Sequence, residues 1–199
     1  MEHYFTENPK SREIISEINV QAFGKSYDFF TASGLFSWKE LDKGSKLLLE
    51  SVHIPDCEHV LDLGCGFGVI GIILALQHPH ATFLLSDINA RAVKVSDMNI
   101  KRHHLRNARA IQSDGFKNIA QSFDQILLNP PQTAGREVCL RLIREAKDHL
   151  NQGGKLTIVA RHQKGGKTLA AYMKEMYGNC EEGRKSSGFR IYISVKKKS

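Results

Sequence analysis

His59-Val60-Leu61-Asp62-Leu63-Gly64-Cys65-Gly66-Phe67-Gly68-Val69-Ile70-Gly71 reads as a short apolar strand that runs through a glycine-rich turn into a helix. Outward from it, short apolar runs alternate with segments of helical period. The spacing predicts strands at 59–63, 82–86, 108–112, 125–128 and 155–160, with helices from the glycine turn to 78 and over 89–103, 137–150 and 167–177. Strand, helix, strand in this rhythm means parallel strands joined by right-handed crossovers, hence a doubly wound α/β sheet. After Gly178 the rhythm breaks. Two adjacent strand-like runs, 180–184 and 189–195, flank Lys185-Ser186-Ser187-Gly188 and predict an antiparallel closing edge. Upstream, Ile18, Val20 and Ala22 alternate with polar residues, Gly24-Lys25 marks a turn, and Tyr27, Phe29 and Thr31 resume the alternation, which predicts a β-hairpin. A helix through Glu50 follows, capped by Asp42 or Ser45. The expected organisation is an N-terminal hairpin and lid extension over 1–45 and a cofactor-binding domain over 46–199.

Two fingerprints overlap in the glycine turn. Gly66-x-Gly68-x-x-Gly71 fits a dinucleotide loop, and Asp62-x-Gly64-x-Gly66-x-Gly68 fits an S-adenosylmethionine loop. Asp62 weighs for the second, because a carboxylate at the last turn of a buried strand needs a cationic group or ordered hydrogen bonds. A pyrophosphate would be repelled there; S-adenosylmethionine brings an ammonium and a sulfonium. Asp87, ending the next strand, is placed to accept from ribose hydroxyls in either case, unless it caps the following helix. Asp114, in Ser113-Asp114-Gly115-Phe116, is placed to accept from an adenine amine while Ile88 or Phe116 contacts the ring, unless it is an N-cap. A dehydrogenase remains open on the glycine spacing alone.

The choice is made by Asp124-Gln125-Ile126-Leu127-Leu128-Asn129-Pro130-Pro131-Gln132, which ends the fourth strand with Asn129 at the carboxyl edge, where open α/β sheets bind ligands. Two consecutive prolines lack N–H groups and have fixed φ, so they hold a rigid loop with outward carbonyls. An amide oxygen and a proline carbonyl together accept both hydrogens of a planar amino group and aim its lone pair at an electrophilic methyl.

With these motifs the chain resembles the class I S-adenosylmethionine-dependent methyltransferases that carry Asn-Pro-Pro-x after the fourth strand. It is similar throughout, from residue 4 to the C-terminal strands, to the small-domain methyltransferase family, related to the catalytic halves of the guanine-N2 methyltransferases of ribosomal RNA. The resemblance rests on Ser33-Gly34-Leu35-Phe36-Ser37, Leu41-Asp42-Lys43-Gly44-Ser45, the glycine loop, Ser86-Asp87-Ile88-Asn89, Asn129-Pro130-Pro131 and Ala134-Gly135-Arg136. It implies a seven-stranded, mostly parallel sheet. It also implies S-adenosylmethionine contacts from Asp62, Gly64, Cys65, Gly66, Asp87, Ile88, Asp114, Gly115 and Asn129, catalysis by Asn129, Pro130 and Pro131, and a Gly34 turn that helps close the site. Many relatives place an aromatic residue after the prolines to stack on the target base; here the residue is Gln132, so stacking falls to Phe36 or Trp38. Substrate contacts are expected from Phe36, Gln132, Arg136, Arg161, Lys164 and Lys167. Protein-glutamine methylation, a small-molecule acceptor and a silent RNA-binding module are the competing functions.

At 199 residues and 41% hydrophobic content the chain can bury one core, and its 25% charged fraction with 16 Gly and 5 Pro excludes disordered and collagen-like classes. No apolar run approaches the ~20 residues of a membrane span. Glu2 and Glu7 stand where a secretory leader needs a basic end, so a soluble cytoplasmic protein is expected. Cys57, Cys65, Cys139 and Cys180 form no CxxC pair, and His78, His80, His103 and His104 lack a third partner at ligand spacing, so no metal is expected. The formal charge of +7 is concentrated in three stretches without acidic residues: between Asp97 and Asp114, between Asp148 and Glu175, and after Glu182. A polyanionic partner, most commonly nucleic acid, fits this pattern unless it is merely a solvated basic surface, and the resemblance implies ribosomal RNA or a ribosomal particle. Lys196-Lys197-Lys198 is expected at the edge opposite the crevice.

Overall fold

The computed structural model describes residue 7 and residues 12–37, 40–56 and 58–197. The expectations on residues 1–6, Trp38, Cys57, Lys198 and the side chain of Gln132 lie outside the described residues.

Strand β3 (His59–Leu63) is the axis of a seven-stranded sheet. It pairs in parallel with β4 (Thr82–Asp87) on one side and β6 (Phe123–Leu128) on the other. Beyond β4 lies β5 (Ala108–Gln112), and beyond β6 lies β7 (Leu150–Arg161), both parallel. Strand β9 (Phe189–Val195) enters antiparallel between β7 and the outermost β8 (Glu181–Ser186). The sheet thus matches the expected fold class, with one reversed strand, β9, next to the edge strand β8.

The two-residue period of each strand sorts its side chains between two layers. Val60, Phe83, Leu85, Leu127 and Val159 join the core under α1 (Lys43–Ser51), α2 (Val69–Gln77) and α3 (Ala90–Arg102). Leu61, Leu84, Ile126, Leu128 and Ile158 join the core under α4 (Arg136–Asp148) and α5 (Lys167–Tyr177). Coverage on both faces is why the central strands read as continuous apolar runs.

A separate antiparallel hairpin, β1 (Ile15–Ala22) and β2 (Lys25–Ala32), sits on α3. Val20, Tyr27 and Phe29 enter the first core, with Phe29 edge-on to Phe67 of the glycine loop. The junction is fastened by Asn99 of α3, which is fully buried. Its amide accepts from the Phe30 N–H at 2.7 Å and donates to the Phe30 and Phe67 carbonyls at 2.8 Å each. Asparagine is a poor residue for a helix interior; here one side chain ties hairpin, helix and glycine loop together.

Some boundaries differ from the sequence reading. Strand β7 begins at Leu150 rather than 155, because Leu150 pairs with Phe123 across a register shift. Gly153-Gly154 lies at the irregularity this creates, where a Cβ on Gly154 would lie 2.9 Å from the Asn151 carbonyl. Asp42, not Ser45, caps α1. The last turn is only Ser187-Gly188, since Ser186 still pairs with Phe189. Lys196 lies beside Gly154 at the start of β7, at the amino edge of the parallel strands as expected.

Asn99→Ala should lower unfolding stability by about 2–4 kcal/mol, because three buried hydrogen bonds lose their partner. Urea unfolding checks this; a loss below about 1 kcal/mol would show that the hairpin junction is held by Phe29 and its apolar neighbours alone.

Candidate active site

Because β3 and β6 are neighbours, with Leu63 opposite Leu128, the loops that follow them open side by side at the carboxyl edge. Between them lies a crevice of about 820 Å³. Among the described residues its walls are the glycine loop, the end of β4, the 113–115 turn, the Asn-Pro-Pro loop, residues 35–37 and 40–45, and Phe189 at the start of β9.

The glycine loop is held by its own backbone. Gly64 and Cys65 both donate to the Ser86 carbonyl, at 2.8 and 3.0 Å. Gly64 (φ 74°) and Gly66 (φ 58°) have left-handed torsions, and a Cβ on either would project into open space. Gly68 and Gly71 differ, since a Cβ there would strike the Leu85 side chain at 3.0 and 2.8 Å. Of the two overlapping glycine patterns, only Gly64 and Gly66 leave room for a ligand; the later glycines serve helix packing.

Three acidic side chains stand in the crevice wall. Asp62 is 3% exposed and accepts from the Gly71 N–H at 2.9 Å; burial pushes its carboxyl up to about 7, with the nearby Asp87 adding to the rise. Asp87 accepts from Gly66 N–H and Asn89 N–H, both at 2.9 Å, and burial raises it as well. Asp87 is not the helix cap; that role falls to Asn89. Asp114 is held below its ordinary range by Lys117 and Arg141, each at 2.6 Å. Its carboxylate is in ion pairs rather than in an N-cap. Ile88 and Gly115 line the crevice. Phe116 does not: its ring is buried, stacked on His149 at 4.4 Å, which corrects the expectation that it could contact a nucleoside base. Cys65 reaches the wall, with its thiol directed onto Ser96 at 3.6 Å.

Across the crevice, Asn129 donates from Nδ2 to Ser45 Oγ at 3.1 Å, which orients the amide. Pro130 is buried, and the Pro131 carbonyl accepts from the Ala134 N–H at 2.8 Å, closing the turn that carries Gln132. Phe36, 42% exposed, stands on the rim, and Leu35 and Ser37 share its wall, so the Gly34 turn does border the site. Arg161 also lies in the wall, its guanidinium 5.0 Å over the Phe189 ring. The other predicted substrate contacts are dispersed. Arg136 is exposed at the start of α4, and Lys164 is exposed in the wide turn after β7. Lys167 lines a different shallow groove with His162, Lys174 and Arg190.

The sequence reading passed over three residues of this wall. Ser45 and Asp42 signalled only a helix cap, and Phe189 only a strand. A usable signal was Gly44: a glycine in a helix's first turn is costly, and a Cβ there would lie 2.9 Å from the Phe189 ring. Among the described residues there is no group of three or more His, Cys, Asp or Glu that could hold a metal, and no helix is long and apolar enough to cross a membrane.

The chain belongs to the methyltransferase small-domain family, whose model matches residues 26–193. Among its relatives, the uncharacterised Bacillus subtilis protein YbxB is 35% identical over 199 residues, covering 98% of each chain. The ribosomal RNA small subunit methyltransferase C of Hamiltonella defensa is 38% identical over 175 residues, 84% of this chain and 50% of that protein. The chain thus spans about half the length of the curated methyltransferases it matches. A T. thermophilus 16S rRNA N2 methyltransferase, solved with AdoMet and guanosine, shares the fold with a TM-score of 0.84 at 23% identity, over 95% of this chain and 52% of that one.

S-adenosylmethionine fits this crevice in charge and shape: two open glycine positions, the buried Asp62 carboxylate and the half-buried Asp87 carboxylate suit a cationic nucleoside. Asp62, raised to about 7, retains a proton that a bound cation expels. Binding of S-adenosylmethionine should therefore release close to one proton at pH 6 and almost none at pH 8.5, with affinity rising up to roughly tenfold per pH unit below 7. Calorimetry in buffers of different ionisation enthalpy measures this, and Asp62→Asn should abolish the release.

Proposed function

We propose that the chain transfers a methyl group to an exocyclic amine of ribosomal RNA, the amine being guanine N2. The observation that carries this reading is the Asn129 amide, fixed through Ser45 at 3.1 Å on a proline-stiffened loop beside the glycine turn. With Nδ2 engaged, Oδ1 is the atom of Asn129 presented to an incoming amine. The small-subunit RNA methyltransferases among its relatives support the substrate class.

Bound S-adenosylmethionine supplies an electrophilic methyl on a sulfonium. Asp62 balances its positive charge, Asp87 accepts from its ribose hydroxyls, and Gly64 and Gly66 let backbone approach it. Ile88, Gly115 and Asp114 border the base, with Asp114 kept ionised by Lys117 and Arg141. Asn129 Oδ1 and the Pro130 carbonyl accept the two amine hydrogens, turning the nitrogen lone pair toward the methyl. Alignment of this kind, with acceptors placed where positive charge appears on nitrogen, supplies much of the acceleration. No residue needs to act as a strong base, because the methylated amine is acidic and loses its proton to water.

Among the described residues, Phe36 on the rim and Phe189 in the wall offer aromatic surfaces to a target base. Arg161 adds charge at the mouth, where a flanking phosphate would lie.

Asn129→Ala should reduce transfer at least ~100-fold while leaving S-adenosylmethionine affinity within about threefold. The check is labelled methyl transfer to small-subunit RNA, ribosomal particles and a protein extract, followed by nuclease or protease and nucleoside mapping. Label on guanine N2 supports the reading. Label released only by protease would replace it with a protein amide substrate.

A further inference from the structure

The cap of α1 uses half of its carboxylate. Asp42 Oδ1 accepts from the N–H groups of Gly44 at 2.9 Å and Ser45 at 3.1 Å. Asp42 Oδ2 is buried and has no hydrogen-bond partner among the described residues. Capping does not explain that second oxygen. Serine caps a helix as well as aspartate, and an unpartnered buried carboxylate oxygen costs free energy that serine would not incur.

Its position supplies a reason. Asp42 lines the same crevice as Asn129, and the two are joined through one residue: Asp42 Oδ1 holds the Ser45 N–H, and Ser45 Oγ holds the Asn129 amide. Gly44 keeps this turn close against Phe189, so an aromatic face borders the same corner. A carboxylate therefore lines the same crevice as the amide that would hold the amine, linked to it through Ser45.

The bases of RNA differ in what flanks their exocyclic amine. The adenine amine lies between two ring nitrogens that only accept, and the cytosine amine lies beside one. The guanine amine alone neighbours a ring N–H donor, N1–H. A carboxylate oxygen beside the amine acceptor is complementary to guanine, whereas it meets a lone pair on adenine or cytosine. A glutamine side-chain amide offers no such donor.

Resting on the amine-methylating reading above, we propose that Asp42 is the specificity residue of this crevice: its second carboxylate oxygen accepts the N1–H of guanine while Asn129 holds the N2 amine. The hydrogen bond is charge-assisted, and sites built to pair a donor reject analogues that lack it.

The test uses Asp42→Asn, which keeps an oxygen for the cap and puts an N–H donor in place of the second acceptor, and Asp42→Ser, which caps with no second polar group. Transcripts spanning the methylated site carry guanine or 2-aminopurine at the target; 2-aminopurine retains the amine but has a bare N1. The unaltered protein should prefer guanine by about 10- to 100-fold in kcat/KM. Asp42→Asn should erase or reverse that preference, and Asp42→Ser should erase it without reversal. Both should retain the melting temperature and S-adenosylmethionine affinity. A guanine preference that survives in both variants overturns the proposal. So does a loss of cofactor affinity with the preference intact, which would assign the oxygen to the cofactor. If the unaltered protein labels adenine, cytosine or protein instead of guanine, it is the proposed function that fails.

Discussion

The parallel pairing of β3 with β6 is the constraint on which the rest of this molecule depends. Chain order would place β4 and β5 next to β3 and leave β6 at a distance; instead the chain crosses back, and Leu63 lies opposite Leu128. Two loops that are more than sixty residues apart in sequence then open at one edge. Neither loop is a site alone. The glycine turn offers backbone and negative charge without an acceptor for an amine, and the Asn-Pro-Pro turn offers the acceptor without a cradle. The layers on either side fix this edge, because Val60 and Leu127 are buried in one core and Leu61 and Leu128 in the other. A one-residue slip in the β3–β6 register would exchange these faces and misplace both loops at once.

The crevice is organised around carboxylates that differ in what the protein does with them. Asp114 is matched by two cations and stays ionised at low cost. Asp62 and Asp87 receive only backbone N–H bonds, and burial raises both. Asp42 keeps one oxygen with no partner among the described residues. Undercompensated negative charge in a concave site is unfavourable in the ligand-free fold, and it is recovered only when donors arrive. The disposition suits a cationic nucleoside on one side and a donor-edged base on the other. It also shows why the helix over the crevice begins where it does: Asp42 caps α1, Ser45 steadies Asn129, and Gly44 admits Phe189, all within four residues.

Much of this was legible in the sequence because it is local. Alternation and helical period give the strands and helices, and α5 and β9 have the expected bounds, since each is framed by glycine-marked turns. The glycine loop and the Asn-Pro-Pro turn announce themselves through residues whose torsions or missing N–H groups have few other uses. What was not legible depends on contacts across the fold. Phe116 has the position of a base contact, yet His149, distant in sequence, takes its ring into the second core. Lys167 follows the correct strand, but the wide turn at His162–Gly166, with Gly165 at φ 98°, directs it to another groove. Ser45 and Asp42 looked like capping residues because capping is the local half of what they do.

The placement of positive charge divides recognition into two tasks. Of the three basic stretches, the one between Asp97 and Asp114 lies toward the amino edge of the sheet, where Arg106 and Arg109 border a groove remote from the crevice. Arg102 in that stretch is paired with Glu17, and near the C-terminus Arg190 is paired with Glu182. Arg161 alone of the basic residues expected to contact substrate reaches the crevice wall. A net charge of +7 spread in this way raises the encounter rate with a polyanion without selecting a nucleotide. On the proposed reading, selection falls to the groups around Asn129. In the proposed recognition of RNA, a hydrogen bond to the edge of the base discriminates more than another lysine could, because phosphate contacts position a strand and only base contacts distinguish one nucleotide from the next.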